Sequence, residues 1–162
     1  TMIKIRNPFV DMDARHDYNC FGCSPFNETG LQMEFWENGD ELFARWSPKK
    51  SLEGWSDVLH GGIQAALMDE LAGWVVLIKR KTSGVTSALN IKYLKPVSIS
   101  KGEITITGKI AATDRKNTTI QVSLRDGEGT ECAVAEAIYY CFPENIARTK
   151  YFYPGQEAFY NK

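Results

Sequence analysis

The chain carries almost no net charge. Its 19 basic residues are offset by 20 acidic ones, for a formal charge of −1. That balance argues against a broad electrostatic nucleic-acid binder, and no nucleic-acid partner is expected. A long apolar run is also missing. The longest, Leu71 to Ile78, falls far short of the roughly 20 residues that a membrane span needs, so no membrane contact is expected. The opening Thr1-Met2-Ile3-Lys4 lacks the apolar stretch of a signal peptide, which makes the expected location cytoplasmic.

Cysteine is scarce, at four residues. Cys20 and Cys23 form a Cys-x-x-Cys pair with His16 four positions upstream, three soft ligands of the kind zinc accepts. A fourth ligand is not evident. Cys132 and Cys141 share one predicted strand, where their odd separation sends them to opposite faces. The expectation is four reduced cysteines packed as small apolar residues, with no metal and no cofactor.

What is present suits one soluble globular domain: 162 residues, 43% hydrophobic and 24% charged. Residues 1–30, rich in Asn, Pro, Gly and Phe, show no period and read as an irregular N-terminal segment. Residues 31–142 form the main domain. It opens with a predicted hairpin of Leu31–Phe35 and Leu42–Trp46 around Asn38-Gly39-Asp40. Residues 143–162 form a tail with Tyr151, Phe152, Tyr153, Phe159 and Tyr160, either packed on the domain or frayed.

One strong helix is expected, from Gly61-Gly62 to Lys81, with Lys79-Arg80-Lys81 at the end where cations suit its dipole. Its apolar residues, Ile63, Ala66, Leu67, Leu71, Trp74, Val75, Leu77 and Ile78, surround most of its circumference. Such a helix must be buried on nearly all sides. Four strands should follow, over Thr86–Leu94, Glu103–Thr107, Thr119–Leu124 and Glu131–Cys141, with short antiparallel connections. The fold class is α+β: a curved antiparallel sheet wrapped around one long central helix.

The segment from Val58 to Glu70 carries the chemistry. Gly61 and Gly62 open the helix with amides that lack intrahelical acceptors, at the end where the dipole favours negative charge. This is an oxyanion site in outline, or simply a tight turn. Asp69 and Glu70 interrupt the apolar helix about two turns later, where one of them should be poorly solvated and able to act as base or nucleophile. His60 stands at the helix start, where it could cap the helix, hold the loop or bond a substrate carbonyl.

This set resembles the hotdog-fold acyl-CoA thioesterases, specifically the phenylacetic-acid-pathway type of the 4-hydroxybenzoyl-CoA thioesterase superfamily. The likeness rests on His60-Gly61-Gly62 with Asp69, on Gly54-Trp55, on the strand Thr86 to Pro96, and on Cys20-Phe21-Gly22-Cys23 with Thr29-Gly30-Leu31. It implies Asp69 as nucleophile or general base, the Gly61 or Gly62 amide on the thioester carbonyl, and His60 in support. It also implies Thr86 as a positioning hydroxyl from a neighbouring subunit and Glu70 as a partner behind Asp69. Strand parity leaves open whether Thr86 or Ser87 faces the helix.

The implied substrate is an acyl-CoA and the implied assembly a homodimer, or a tetramer built from two dimers. Lys79, Arg80, Lys81, Lys92, Lys95, Arg115 and Lys116 could meet the coenzyme's phosphates. Ser56-Asp57 stands where the subgroup has Pro-Gly, leaving Glu53 and Asp57 as the nearby groups to hold water. Two rival functions are a 3-hydroxyacyl thioester dehydratase with His60 as base, and a binding module that holds acyl-CoA without turnover.

Overall fold

The structure is a computed structural model that describes residues 2–12 and 17–160. Seven antiparallel strands form one sheet: β1 (Met2–Lys4), β2 (Trp36–Asn38), β3 (Glu41–Trp46), β4 (Gly84–Tyr93), β5 (Ile104–Thr113), β6 (Asn117–Arg125) and β7 (Glu131–Cys141). Their spatial order is β1-β2-β3-β5-β6-β7-β4, so among the described residues β4 pairs with β7 alone and its other edge is free. Three α-helices accompany the sheet among the described residues: α1 (Phe9–Met12), α2 (Gly61–Val75) and α3 (Glu144–Lys150).

The sheet curls around α2, which packs on β3, β4, β5, β6 and β7. Leu67, Met68, Leu71, Ala72, Trp74 and Val75 are buried, as the all-round apolar pattern requires. By length and hydropathy alone Gly61–Arg80 could cross a membrane, but half of that stretch is buried inside the sheet, as in a core helix. Alternate residues of β6 point inward, placing Thr118, Ile120, Val122 and Leu124 against the helix. The helix ends differently from its sequence pattern. Past Val75 it widens into a π-turn over Val76–Arg80, and Lys81 closes it in the left-handed conformation at φ 63°.

The first hairpin is displaced from its expected place. Residues 31–35 keep their alternation, with Leu31, Met33 and Phe35 buried, yet they form no ladder. Pairing starts at Trp36↔Phe43 and runs to Asn38↔Glu41 around Gly39-Asp40, with Gly39 at φ 64°. A two-residue connection of that kind fixes the register from the turn outward, and hydrophobic alternation alone cannot.

Both ends of the chain belong to the same core as the helix. Ile5 and Cys23 pack there, and so do Tyr153 and Phe159 from the tail. The Trp74 ring stacks on Phe35 at 4.6 Å and meets Phe159 edge-on at 5.7 Å. Tyr153 Oη and Gln156 Nε2 donate to the Leu77 and Ile78 carbonyls, which the widened turn leaves without helical partners. The amide of Arg6 donates to the Phe159 carbonyl at 2.8 Å, so the two ends lie side by side.

Candidate active site

Helix α2 starts at His60, whose φ of −56° and ψ of 135° place it as the cap. Its Nδ1 accepts from the Gly62 amide at 2.8 Å. Of the three roles open to His60 in the sequence, the structure shows this one. The same bond decides between the two glycines. The Gly62 N–H is taken by the cap, while no described residue accepts from Gly61 N–H, which leaves Gly61 as the available helix-end donor. Tyr93, near the end of β4, donates from Oη to the Gly61 carbonyl at 2.7 Å and ties the strand to the helix start.

Asp69 is half-buried on the side of α2 that faces β4 and β7. Thr86 Oγ1 donates to its Oδ1 at 2.8 Å, and Tyr139 Oη lies 2.7 Å from the same oxygen and from the Asp69 carbonyl. Asp69 Oδ2 has no hydrogen-bond partner among the described residues. Burial first, and then the charge of Asp69, push the Tyr139 phenol above its ordinary range, which keeps it a donor. Tyr139 was not among the sequence candidates. Its signal was there in outline, as a hydroxyl on the inward face of β7 between Ala137 and Cys141, but an inward tyrosine reads first as core.

The choice between Thr86 and Ser87 is settled by a β-bulge. The β4–β7 register runs Gly84↔Cys141, Val85↔Tyr140 and Thr86↔Tyr139, then resumes at Ala88↔Ile138, so Ser87 is an extra residue. Ser87 Oγ turns back to the Ile138 carbonyl at 3.0 Å. The extra residue reverses parity, so Thr86 shares the helix side with Leu89 and Ile91 although the count says otherwise. Thr86 also bonds the Asp69 of its own chain. The expectation that it serves from a neighbouring subunit does not describe this contact, because β4 lies directly over its own helix.

Glu70 is placed elsewhere. Its Oε2 accepts from Trp74 Nε1 at 3.0 Å, one turn along the helix, and lies 3.5 Å from Cys20 Sγ. Adjacent helical residues point about 100° apart, which carries Glu70 toward the N-terminal segment and away from Asp69. Behind Asp69 the structure puts Tyr139 instead.

Glu53 and Asp57 serve the loop. Asp57 accepts from the amide and Oγ of Ser100 at 2.9 and 2.7 Å, bonds that hold its carboxyl below the usual range, and Glu53 accepts from the Asp57 amide. Among the cations proposed for phosphate, Lys79 is bonded to Glu37 and the Gly39 carbonyl. Arg80 is bonded to Thr118 and the Asp114 carbonyl. Lys92 and Lys95 are exposed.

The acid and the available amide are well separated. Gly61 and Asp69 are eight residues apart on one continuous helix, which is about 12 Å along its axis. They are not the compact set that their sequence proximity suggests, and one chain cannot bring both to a single carbonyl carbon.

Comparison with known proteins bears on this geometry. The family model described as "Thioesterase superfamily" matches residues 57–133, the stretch that contains the helix cap, α2 and most of the sheet. A protein of Saccharolobus solfataricus, provisionally named an esterase, is 25% identical over 126 residues, covering 77% of this chain and 82% of its own. A crystal structure of a thioesterase superfamily protein superposes with a TM-score of 0.68 at 21% identity, over 75% of this chain. This chain spans only 62% of that protein's length. A hypothetical thioesterase of Streptococcus pneumoniae, crystallised with coenzyme A, superposes with a TM-score of 0.63 at 23% identity, over 69% of this chain and 87% of that one. A helix enclosed by an antiparallel sheet, matched by these structures, is the hotdog fold, and residues 57 to 133 within it are similar to the thioesterase superfamily.

Proposed function

We propose that the protein hydrolyses acyl-CoA thioesters at a site completed by a second copy of the chain. The observation that carries this reading is the division of the machinery: a free amide at Gly61, and a carboxylate at Asp69 with one oxygen clamped and the other free. Two copies set with their helices antiparallel bring the Gly61 end of one to the Asp69 region of the other, closing the gap of about 12 Å. The free edge of β4 suits such a pairing. It is ten residues long, exposed at Val85, Thr86, Ser87 and Ala88, and unprotected by proline or a covering helix. An edge of that length calls for a partner strand, and a second β4 supplies one with two-fold symmetry.

In this site the thioester oxygen accepts from Gly61 N–H at the positive end of the helix dipole. His60 offers a second donor, since a neutral ring that accepts at Nδ1 carries its proton at Nε2. Oδ2 of Asp69 then acts on the carbonyl carbon, by taking a proton from the attacking water or by attacking directly. In the water route the tetrahedral intermediate collapses with cleavage of the C–S bond, and the proton held by Asp69 passes to the departing thiolate, leaving free acid and free thiol. The crystallisation of a similar fold with coenzyme A and the name of the archaeal relative support this substrate class and reaction. The capping bond weighs against a dehydratase, because an imidazole with its proton on Nε2 and its Nδ1 occupied has no lone pair left for a base.

Release of free thiol from a series of acyl-CoAs by the wild type and by Asp69→Asn tests the reading. Hydrolysis should fall by about 10²- to 10⁴-fold in the variant, the range for loss of a positioned acid or base. Undiminished turnover in Asp69→Asn removes the assignment, and a wild type that binds acyl-CoA without releasing thiol makes the protein a binding module.

A further inference from the structure

Cys20, Cys23 and Glu70 meet on a side of α2 about 100° round the helix from Asp69. Their sulfur and carboxylate ligand atoms all lie within 4.8 Å of one another. The two sulfurs are 3.1 Å apart, and Cys20 Sγ lies 3.5 Å from Glu70 Oε2. Cys23 is buried and the other two are half-buried. No lysine or arginine forms an ion pair with Glu70 among the described residues. Among the described residues, two thiols and a carboxylate thus converge without a cation to balance them, an arrangement that is costly for the charged forms unless a metal supplies the charge.

The loop is shaped around this convergence. The Ser24 amide donates to the Cys20 carbonyl at 3.1 Å and closes a turn that brings both sulfurs of the Cys-x-x-Cys pair together, as presentation to one ion requires. Gly22 lets Glu70 approach the loop closely, since a Cβ there would lie 2.3 Å from the Glu70 carboxyl and push it aside. The hydroxyl of Tyr18, which accepts from Asn7 Nδ2 at 3.2 Å, lies 2.9 Å from Cys23 Sγ, where it can donate to a thiolate. Tetrahedral zinc with ordinary bond lengths implies a sulfur–sulfur separation of about 3.8 Å and a sulfur–oxygen separation of about 3.5 Å. The second matches, and the first needs the sulfurs to part by about 0.7 Å.

The geometry points to a zinc site formed by Cys20, Cys23 and Glu70, which pins the N-terminal loop to α2 beside Asp69, with the fourth position left to solvent. Binding displaces the two thiol protons, so two thiolates and one carboxylate face a divalent ion for a net charge of −1. The sequence alone shows two of these ligands. Glu70 joins them from fifty positions downstream, and His16 lies outside the described residues. The site is independent of the proposed hydrolysis, and its test uses no substrate.

The experiment takes the full-length chain, stripped of metal by a chelator under reducing conditions, and titrates it with cobalt(II). Thiolate-to-cobalt charge-transfer absorption with the intense visible bands of a tetrahedral ion should saturate at about one equivalent per chain and be discharged by zinc. Cys20→Ser and Cys23→Ser should lose the charge-transfer bands, and Glu70→Gln should weaken uptake by about 100-fold. Cys132→Ser and Cys141→Ser should bind as the wild type does. Folded, reduced wild type that takes up no cobalt overturns the proposal, and so do bands that survive both Cys20→Ser and Cys23→Ser. The wild-type titration decides even where a variant fails to fold.

Discussion

Thr86 and Tyr139 stand opposite each other on β4 and β7 and place their hydroxyls 2.8 and 2.7 Å from the same oxygen of Asp69. Side chains directly across an antiparallel pair share a face, so the ladder itself builds the clamp. A hydrogen bond to a charged group contributes about 1.5 to 3 kcal/mol. Tyr139→Phe is therefore expected to lower kcat by about 10- to 100-fold while the variant stays folded. Steady-state kinetics beside a thermal melt checks this, and an unaltered kcat separates Tyr139 from the reaction. The phenol's raised pKa adds that no loss of activity toward alkaline pH should trace to Tyr139.

The donor role of Gly61 can be isolated with Gly61→Pro. Proline is tolerated at the first position of a helix, and the ψ of 135° at His60 is one that a residue before proline adopts freely. The substitution removes the N–H and keeps the helix. Loss of one oxyanion donor costs about 10²- to 10³-fold in kcat, and that drop is expected with the circular dichroism spectrum unchanged. Wild-type turnover from the proline variant would move the oxyanion donor elsewhere.

Mixing the two inactive variants tests the division between subunits. If each site takes its amide from one chain and its acid from the other, a heterodimer of Asp69→Asn with Gly61→Pro holds one intact site and one doubly defective site. Unfolding and refolding an equimolar mixture should restore about a quarter of wild-type activity, since half of the dimers are mixed. A mixture as inactive as its components would put both groups in one chain.

Acid should loosen the loops before it reaches the core. Bonds from Ser100 hold the Asp57 carboxyl below the usual range, and the amides of Lys116 and Asn117 do the same for Asp114. A depressed folded-state pKa means stability that is present above the unfolded value, near 3.9, and lost as pH falls through the folded one. The urea midpoint should therefore drop as the pH is lowered from about 5 toward 2, and less steeply in Asp114→Asn. Equal slopes for variant and wild type would clear Asp114 of this role.

The helix, its all-round burial and the strands after it are legible in the sequence, because apolar periodicity is a local signal and Gly, Pro and Asp mark its interruptions. Less legible are features set by the partner strand. The extra residue at Ser87 reverses the face of Thr86, and only the pairing with β7 reveals it. The hairpin moved for a similar reason: Gly39-Asp40 fixed the ladder, while Leu31, Met33 and Phe35 buried themselves without one. Around Asp69, the acid and the cap could be named from their spacing and the threonine from the family resemblance, whereas Tyr139 could not. Its bond to Asp69 spans seventy positions, and nothing along the chain announces such a contact. Glu70 shows the converse: adjacency to Asp69 suggested a shared task, and one step around the helix gave it different neighbours.

The bond from Arg6 to Phe159 brings residues from opposite ends of the sequence within reach of a few linking glycines. A gene rearranged so that Phe159 runs on into Arg6, and opened instead at the tight Asp126–Gly129 turn, would encode strands β2 to β7 in a new chain order and dispense with the three-residue β1. Such a permutant would free the β6–β7 turn for fusion partners, at the Tyr93 end of the edge strand that two copies would share.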